Sequence, residues 1–225
     1  MSQPDKAYRQ RLLKLDTCIV SDALDKLGLT GVATGIQRLA TDTKIVGPVV
    51  TVRLEAANGR TAERHLCTAA IEAARPGEII VVEHHSRSDC AGWGGILSRA
   101  AGMQKIAGVI VDGICRDIDE SRELGFPVFG RGVSPVTARG RIIETAFNIP
   151  VTIGSAPVKP GDWVIADGSG VVFISAANLD LVLEQAEVLL AREAQLVAEI
   201  EAGTPVSQVM SRTYEHMTRK ETKRE

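Results

Sequence analysis

The stretch WGGILSRAAGMQKIAGVIVDGICRDIDESRELGFPVFGRG, residues 93–132, decides the fold of this chain. It predicts a helix over Gly95–Lys105, a strand over Gly108–Asp112 and a second helix over Asp117–Leu124. Strands that alternate with helices in this way favour right-handed β-α-β crossovers. We therefore expect an α/β fold with a partly parallel central sheet.

The same alternation begins upstream of this stretch. We predict a helix over Thr61–Ala74, a turn at residues 75–77 and a strand over Glu78–Glu83. An earlier strand over Ile45–Leu54 is rich in β-branched residues, and its Pro48 indicates an edge position or an irregular start.

Two short helices are predicted before that strand. Thr17 is expected to cap the helix Ile19–Leu27, and Gly28 is expected to end it. At the other end of the chain, an apolar stripe at helical spacing predicts one long amphipathic helix over Ala176–Ala202. The stripe consists of Leu179, Leu183, Ala186, Leu190 and Val197.

Between residue 129 and the long helix, turn signals separate a series of short strands. The residues 203–205 end the long helix, and a last helix is expected to run towards a polar tail, 218–225. No linker divides the chain, so we predict a single domain over residues 1–225. The short strands are Arg141–Phe147, Val151–Ile153, Trp163–Ala166 and Gly170–Ile174.

The composition excludes several classes of function. A net charge of −2 and an aromatic content of 4% argue against nucleic acid as the partner. No apolar run is long enough to span a membrane, and the first residues do not resemble a signal peptide. The four cysteines are scattered without a C-x-x-C pair, which favours reduced thiols in the cytoplasm. His84 and His85 are expected on opposite faces of a strand, where they make a poor joint metal site.

The first candidate site follows the strand Glu78–Glu83. Gly94 and Gly95 open a helix, and free N–H groups at a helix start, extending to Ile96 and Leu97, can bind a carboxylate or phosphate. A flexible loop between strand and helix is the alternative interpretation of these glycines.

The second candidate site follows the strand Gly108–Asp112. Asp117 and Glu120 have the spacing of a capping box, which is the structural alternative. Arg116 argues against it, because a cation opposes the positive end of the helix dipole at a cost of about 0.3–1 kcal/mol. An arginine that binds an anionic ligand, beside carboxylates suited to Mg²⁺ or Mn²⁺, explains the set better. The carboxyl ends of parallel strands collect ligands, so we expect the two sites to meet.

These residues resemble a known family. Gly95, twenty further residues, Arg116-Asp117, two more and Glu120 reproduce the G-x20-R-D-x2-E/D pattern of class II pyruvate aldolases. This family is typified by 4-hydroxy-4-methyl-2-oxoglutarate/4-carboxy-4-hydroxy-2-oxoadipate aldolase and shares its fold with the RraA regulators of ribonuclease E. The segment PGDWVIADGSGVVFI and the long last helix are similar too, so the resemblance covers nearly the whole chain.

The resemblance implies a role for each matching residue. Asp117 would be the direct ligand of Mg²⁺ or Mn²⁺, with water filling most of the remaining coordination sphere. Arg116 would contact the oxo and enolate oxygen, and Glu120 would anchor metal-bound water. Glu193, with Glu199 as the other possibility, would reach the site of a neighbouring subunit; a solvated helix glutamate is the alternative. The amides near Ile96 and Leu97 would hold the substrate carboxylate.

The resemblance also implies a three-layer ββα fold and a homotrimer or dimer of trimers. It implies metal-dependent retro-aldol cleavage of a 4-hydroxy-2-oxo acid to pyruvate, with oxaloacetate decarboxylation as a side activity. One family branch has Asp in place of Gly95, so Glu120 would have to replace that carboxylate. The polar segment His84–Asp89, which includes His85 and Arg87, is expected to tune the far end of the substrate. One alternative is a noncatalytic regulator that binds a ribonuclease or other protein; Asp117 argues against it, because that branch replaces the metal carboxylate. A further alternative is an aldolase-like binding module whose chemistry lies elsewhere.

Overall fold

The computed structural model describes residues 3–210, which form seven α-helices and twelve strands. The helices are α1 (Gln3–Leu12), α2 (Thr17–Leu27), α3 (Thr68–Ala73), α4 (Gly95–Met103), α5 (Ile118–Glu123), α6 (Leu179–Glu201) and α7 (Val206–Val209). The strands are β1 (Val32–Ala33), β2 (Gln37–Ala40), β3 (Ile45–Ala56), β4 (Ile79–Arg87), β5 (Gly108–Cys115), β6 (Val128–Gly130), β7 (Gly132–Val133), β8 (Ile142–Phe147), β9 (Val151–Ile153), β10 (Ala156–Val158), β11 (Trp163–Ala166) and β12 (Val171–Ile174).

The main sheet is mixed and runs in the order β1-β12-β11-β3-β4-β5-β6-β2. The run from β3 to β6 is parallel, with Val49 opposite Ile79 and Ile79 opposite Gly108, whereas β11 and β12 are antiparallel to their neighbours. The helices α4 and α5 follow β4 and β5 as crossovers. The α/β class with a partly parallel central sheet and a long C-terminal helix is therefore confirmed.

The sheet curls so that its two halves face each other across an apolar interior. Ile79, Val81 and Ile110 from the parallel half pack in one cluster with Val164 and Phe173 from the antiparallel half. A second cluster joins the outer face of the parallel half to α3, α4 and the residues around Trp93. A third joins α1, α2 and α6 to β11 and β12. Burial of both sheet faces explains why the central strands are nearly continuous in apolar residues.

Pro48 lies inside the sheet, so the expected edge position is wrong. The strand β3 has β11 on one side and β4 on the other. The N–H of Val49 donates to the carbonyl of Asp162 at 2.9 Å, so the nitrogen of Pro48 faces the other side of the strand. Pairing with β4 begins only at Val49, so the missing N–H costs no ladder hydrogen bond.

The predicted N-cap of α2 needs correction, because Thr17 is not the capping residue. The N-cap of α2 is Asp16, whose carboxylate accepts the N–H of Ile19 at 2.8 Å. Thr17 is the first helical residue and donates its hydroxyl to Asp167 at 2.7 Å. Gly28 ends the helix in a left-handed conformation, as predicted.

The helix predicted over Thr61–Ala74 is only the short α3, Thr68–Ala73. The buried Glu144 of β8 accepts the N–H of Cys67 at 2.6 Å and pairs with Arg64 at 3.0 Å. Cys67 has a φ of 65°, outside the helical region. These contacts between distant parts of the chain override the local helical preference of residues 61–67.

The long helix is observed as α6, which a 3₁₀ turn at Ala176–Asn178 precedes. Leu179, Leu183 and Ala186 of the predicted stripe are buried against α2, whereas Val197 is 47% exposed. The second half of α6 therefore presents both polar and apolar side chains on the surface of the chain.

Smaller differences concern strands. The sequence did not predict β1, β2, β6, β7 or β10, all of which have four residues or fewer. The strand predicted over Glu78–Glu83 continues to Arg87 through an irregularity at His85 and Ser86, both of which have positive φ. The predicted polar tail 218–225 lies outside the described residues. Within residues 3–210, no helix is long and apolar enough to cross a membrane.

Two buried carboxylates tie the β9–β10 hairpin to the sheet. Glu83 accepts the N–H of Thr152 at 2.8 Å and the Nε of Arg53 at 2.5 Å. Asp112 accepts the N–H of Gly154 at 3.2 Å and the Nε of Arg131 at 2.5 Å. Because their oxygens are already paired, these strand-end carboxylates have a structural role rather than a place in the candidate site.

Candidate functional site

A cleft of about 220 Å³ opens at the carboxyl ends of β4 and β5, where α4 and α5 begin. One wall comes from the loop and first turn of α4 and from the two residues before α5, and a second wall comes from two segments that are distant in sequence. The two strand ends that the sequence singled out therefore meet, as expected. The lining residues are His65, Leu66, Ala91, Trp93, Gly94, Ile96, Leu97, Arg116, Asp117, Thr137, Ala138 and Arg139.

Because Gly94 and Gly95 have no side chains, the start of α4 lies close to Asp117 and to Glu120 of α5. A Cβ at Gly94 would lie 2.8 Å from Asp117 Oδ2, and a Cβ at Gly95 would overlap the carboxylate of Glu120. The carboxylate of Glu120 therefore occupies the space that a side chain at position 95 would fill. The expectation that Glu120 takes the place of the Asp found at this position in one family branch stays a prediction.

Asp117 stands at the N-cap position of α5 but makes no side-chain cap hydrogen bond, so the capping-box alternative is wrong. It precedes α5 in a left-handed conformation, with φ 54° and ψ 41°, and its side chain bonds no N–H of that helix. Its Oδ2 instead accepts the N–H of Gly95 at 3.1 Å, and Arg116 Nε lies 3.2 Å from both carboxylate oxygens. The carboxylate therefore faces the start of α4 rather than its own helix.

The start of α4 retains two unsatisfied donors. The N–H of Ser98 makes the first helical bond, to the carbonyl of Gly94 at 3.1 Å, and the N–H of Gly95 is taken by Asp117. Across residues 3–210, no acceptor bonds the N–H of Ile96 or Leu97. Together with the positive end of the helix dipole, these two groups can bind an anion in the cleft.

Substitution of Gly95 should damage this arrangement directly. In Gly95→Ala the added Cβ collides with Glu120 and lies 3.1 Å from Asp117 Cβ, so the two helix starts must move apart. A displacement of 1 Å can cost about 10²-fold in rate, and we expect a fall in kcat of that size for the activity proposed below. Gly102→Ala is the matched control in the same helix, because its Cβ meets only Phe126 at 3.9 Å. Equal rates in the two variants would contradict the assignment.

Glu120 lies at the edge of the site. Its side chain is 38% exposed and its Oε1 lies 3.3 Å from Arg99 of α4. It does not line the cleft itself, but it packs over Gly95 beside Asp117. Glu193 is exposed on α6 and is not one of the residues that line this cleft.

Sequence reasoning missed the second wall of the cleft, to which His65, Thr137 and Arg139 belong. Within the described part of the chain, the guanidinium of Arg139 makes no hydrogen bond or ion pair. His65 lies in the loop that Glu144 holds through Arg64 and Cys67. No local motif marks these residues, although a cluster of cationic residues at 139 and 141 was a usable signal.

The segment His84–Asp89 lies outside the cleft of this chain. His84 is buried, its Nε2–H donates to the carbonyl of Cys90 at 2.8 Å, and burial lowers the pKa of the ring. His85 is exposed, so the two histidines face opposite ways, as predicted. The Arg87 guanidinium bonds Asp89 at 2.6 and 2.8 Å and lowers the pKa of that carboxyl to about 2. None of these residues is among those that line the cleft, and their expected effect on the far end of the substrate stays a prediction.

The cysteines do not contribute to the site. Burial raises the pKa of the Cys67 and Cys115 thiols, which keeps them protonated at neutral pH. All four cysteines are free thiols, as predicted, and only Cys18 is exposed.

The acidic residues fit a hydrated cation rather than a full protein cage. Within residues 3–210, no group of three or more His, Cys, Asp or Glu side chains could hold a metal ion. Mg²⁺ commonly keeps several waters and binds through one or two carboxylates. Asp117, with Glu120 beside it in the space next to Gly95, is compatible with this mode of binding.

The fold and the cleft define an α/β protein with an arginine–aspartate pair in a cleft at the carboxyl ends of parallel strands. Residues 17–173 match the RraA-like family, described as Aldolase/RraA. The match covers well over half of the chain, so the protein belongs to the RraA-like family. The resemblance predicted from the Gly95–Glu120 pattern is thereby confirmed.

Two curated relatives show how far the similarity extends. A protein of Halalkalibacterium halodurans, provisionally named 4-hydroxy-4-methyl-2-oxoglutarate aldolase, is 32% identical over 189 residues, which cover 83% of this chain and 85% of the relative. The protein DlpA of Legionella pneumophila is 27% identical over 199 residues, which cover 88% of this chain. The matched region is only 32% of DlpA.

Solved structures agree with this assignment. An uncharacterized protein from Pseudomonas syringae has a TM-score of 0.82 and 30% identity, covering 92% of this chain and 98% of its own. RraAS2 of Streptomyces coelicolor, described as an unusual member of the RNase ES inhibitor RraA protein family, has a TM-score of 0.77 and 25% identity. This match covers 91% of our chain and 100% of RraAS2. The family thus contains relatives named as aldolases and as ribonuclease inhibitors.

Proposed function

We propose that the protein is a divalent-metal-dependent aldolase that cleaves a 4-hydroxy-2-oxo carboxylic acid and releases pyruvate. The observation that carries this proposal is the meeting, in one cleft, of two unsatisfied N–H groups with the Arg116–Asp117 pair. A 2-oxo acid presents a carboxylate and an adjacent oxo oxygen, and this arrangement offers separate partners for both.

Each group has a defined task in this reaction. The N–H groups of Ile96 and Leu97 hold the carboxylate, and Arg116 donates to the oxo oxygen, where negative charge develops as the carbon–carbon bond breaks. Asp117 and Glu120 are the residues that would hold Mg²⁺ or Mn²⁺, which supplies Lewis-acid polarisation of that oxygen when bound. None of the described residues that line the cleft is a lysine, which favours this route over a Schiff base. Decarboxylation of oxaloacetate would use the same groups, because it passes through the same enolate.

The second wall of the cleft supports a substrate with a second anionic group. His65 and Arg139 are among the residues that line the cleft, and the guanidinium of Arg139 is the group that would bind the distal end of the substrate. A 4-hydroxy-4-methyl-2-oxoglutarate-type compound carries a second carboxylate at that end. We propose that a homotrimer or dimer of trimers completes the site, with Glu193 contributed by a neighbouring subunit.

The test is pyruvate release from 4-hydroxy-4-methyl-2-oxoglutarate, from oxaloacetate and from a 4-hydroxy-2-oxo acid that lacks the second carboxylate. We expect turnover with added Mg²⁺ or Mn²⁺, loss of turnover with a chelator, recovery when the metal is restored, and preference for the dicarboxylate. Absence of metal-dependent turnover with all three compounds, in protein shown to be folded, would overturn the aldolase assignment.

The alternative is a regulator that binds a ribonuclease or other protein, because RraAS2, to which this chain is similar, belongs to the RNase ES inhibitor RraA protein family. A shared fold does not by itself separate relatives that catalyse a reaction from relatives that do not. The Arg116–Asp117 pair facing unsatisfied amides favours catalysis, since a surface-binding regulator has no need of such a cleft. Inhibition of a ribonuclease by the Asp117→Asn variant as strong as by the parent, without turnover in either, would favour the regulator.

A further inference from the structure

A buried chain of hydroxyl groups connects the helix that offers the amides to the residue that carries the carboxylate. Trp93 Nε1–H donates to Ser98 Oγ at 2.9 Å, and Ser98 Oγ lies 2.8 Å from Ser121 Oγ. Ser121 Oγ in turn lies 3.3 Å from the carbonyl oxygen of Asp117. We call Trp93, Ser98 and Ser121 the hydroxyl chain.

The hydroxyl chain is fully withdrawn from water. Ser98 and Ser121 have no exposed surface, and Trp93 is 1% exposed. Polar groups are costly to bury without partners, so the indole N–H of Trp93 and the two serine hydroxyls, which are in contact, are held in a fixed relation. The sequence assigned them no role, because their partners lie in different elements: Ser98 in α4, Ser121 in α5 and Trp93 in the loop before α4.

In both possible arrangements of the hydroxyl hydrogens, the hydroxyl chain ends at a backbone carbonyl of the candidate site. If Ser98 donates to Ser121, the hydroxyl of Ser121 donates to the carbonyl of Asp117. If Ser121 donates to Ser98, the hydroxyl of Ser98 donates to the carbonyl of Gly94, 3.4 Å away. In both arrangements the terminal acceptor is the backbone of a residue that lines the cleft.

Asp117 needs such support. A left-handed conformation is uncommon for residues other than glycine and carries strain, which the surrounding structure has to balance. The carbonyl of Asp117 accepts the N–H of Ser121 and, in the arrangement where Ser98 donates to Ser121, the hydroxyl of Ser121 as well. Asp117 Oδ2 accepts the N–H of Gly95. Asp117 is thus held at its backbone by α5 and at its side chain by α4.

We infer that Ser121, acting through the hydroxyl chain, is a positioning residue that holds Asp117 against Gly95 and so sets the geometry of the metal-binding carboxylate. This inference rests on the proposed function for the role of Asp117, but the position of Asp117 can be measured without turnover.

The first measurement is amide hydrogen exchange at Gly95, resolved to single residues, in Ser121→Ala and in the parent protein. Loss of one buried hydrogen bond should speed exchange of the Gly95 N–H about 3- to 10-fold, because Asp117 is held less firmly as its acceptor. Thr51→Val is the matched control: Thr51 is buried, its hydroxyl donates to the carbonyl of Ile149 at 2.5 Å, and it does not line the cleft.

The second measurement is binding of Mn²⁺ alone, by electron paramagnetic resonance. We expect Ser121→Ala to weaken Mn²⁺ binding about 3- to 10-fold and Thr51→Val to change it by less than about 2-fold, even where the two variants lose similar amounts in Tm. Ser98→Ala provides a second variant, and its effect combined with Ser121→Ala should be less than additive because both belong to one network.

The outcomes separate the two proposals. Unchanged Gly95 exchange in Ser121→Ala, or the same increase in Thr51→Val, would overturn the positioning role and leave the aldolase proposal standing. Failure of the parent protein to bind Mn²⁺, with Gly95 exchange still specific to Ser121→Ala, would overturn the metal-dependent function and leave the positioning role standing.

Discussion

Arg116→Ala should lower kcat for pyruvate release about 10²- to 10³-fold, which corresponds to about 2.7–4 kcal/mol of transition-state stabilisation. The guanidinium is the only cationic group on the Gly94–Leu97 side of the cleft among the described lining residues. Its removal leaves the charge that develops on the oxo oxygen without this donor. Because the charge is larger in the transition state than in the bound substrate, kcat should fall more than KM rises. Steady-state kinetics with saturating Mg²⁺ measure both quantities.

Two control variants make this prediction specific. Arg116→Lys retains the charge but lacks the planar fork of donors, and we expect it to recover only part of the lost rate. Arg122→Ala removes an arginine of α5 that pairs with the exposed Asp119 at 2.8 Å, so its kcat should match that of the parent. A kcat in Arg116→Ala within about 3-fold of the parent value would remove Arg116 from the proposed reaction.

Asp117→Asn should abolish metal-dependent turnover and weaken Mn²⁺ binding by more than about 100-fold. Loss of a residue that only supports a metal ligand already costs about 10- to 100-fold in affinity, and loss of the ligand itself should cost more. The amide is nearly the same size as the carboxylate and its oxygen can still accept the N–H of Gly95, so the fold should be retained. Mn²⁺ titration and pyruvate release measure the two effects separately.

Asp119→Asn is the matched control for this substitution. It makes the same chemical change two residues away, at a side chain that is 92% exposed and does not line the cleft. We expect unchanged metal affinity and turnover in this variant. Retained metal-dependent activity in Asp117→Asn would instead overturn the metal assignment, whatever the control shows.

The local elements of the central region could be predicted because their signals are short in range. The start of α4 at Gly95, the strand β5 from Gly108 and the short helix after Asp117 all follow from neighbouring residues. The same reasoning failed at Thr61–Ala74, where Glu144 of a distant strand takes the N–H of Cys67. It also failed at Pro48, since an internal place for proline depends on where the next strand begins to pair.

The candidate site also contains features that the sequence could identify and features that it could not. Arg116, Asp117, Glu120 and the amides of Ile96 and Leu97 could be named because parallel strands bring their carboxyl ends to one edge of the sheet. The left-handed conformation of Asp117 could not be predicted, because D-x-x-E spacing alone is equally typical of a capping box. His65 and Arg139 were missed, since loops far apart in sequence form that wall only after the whole chain has packed.

The sequence by itself determined the α/β class, the family and the residues that meet at the two strand ends, because local pattern and motif spacing carry that information. Only the tertiary structure decided that Asp117 faces Gly95, that Glu120 fills the space left by a missing side chain and that Ser98 meets Ser121. Those contacts depend on how side chains from separate elements share the space between α4 and α5. Spacing along the chain does not determine this packing, which forms only when the two helices come together.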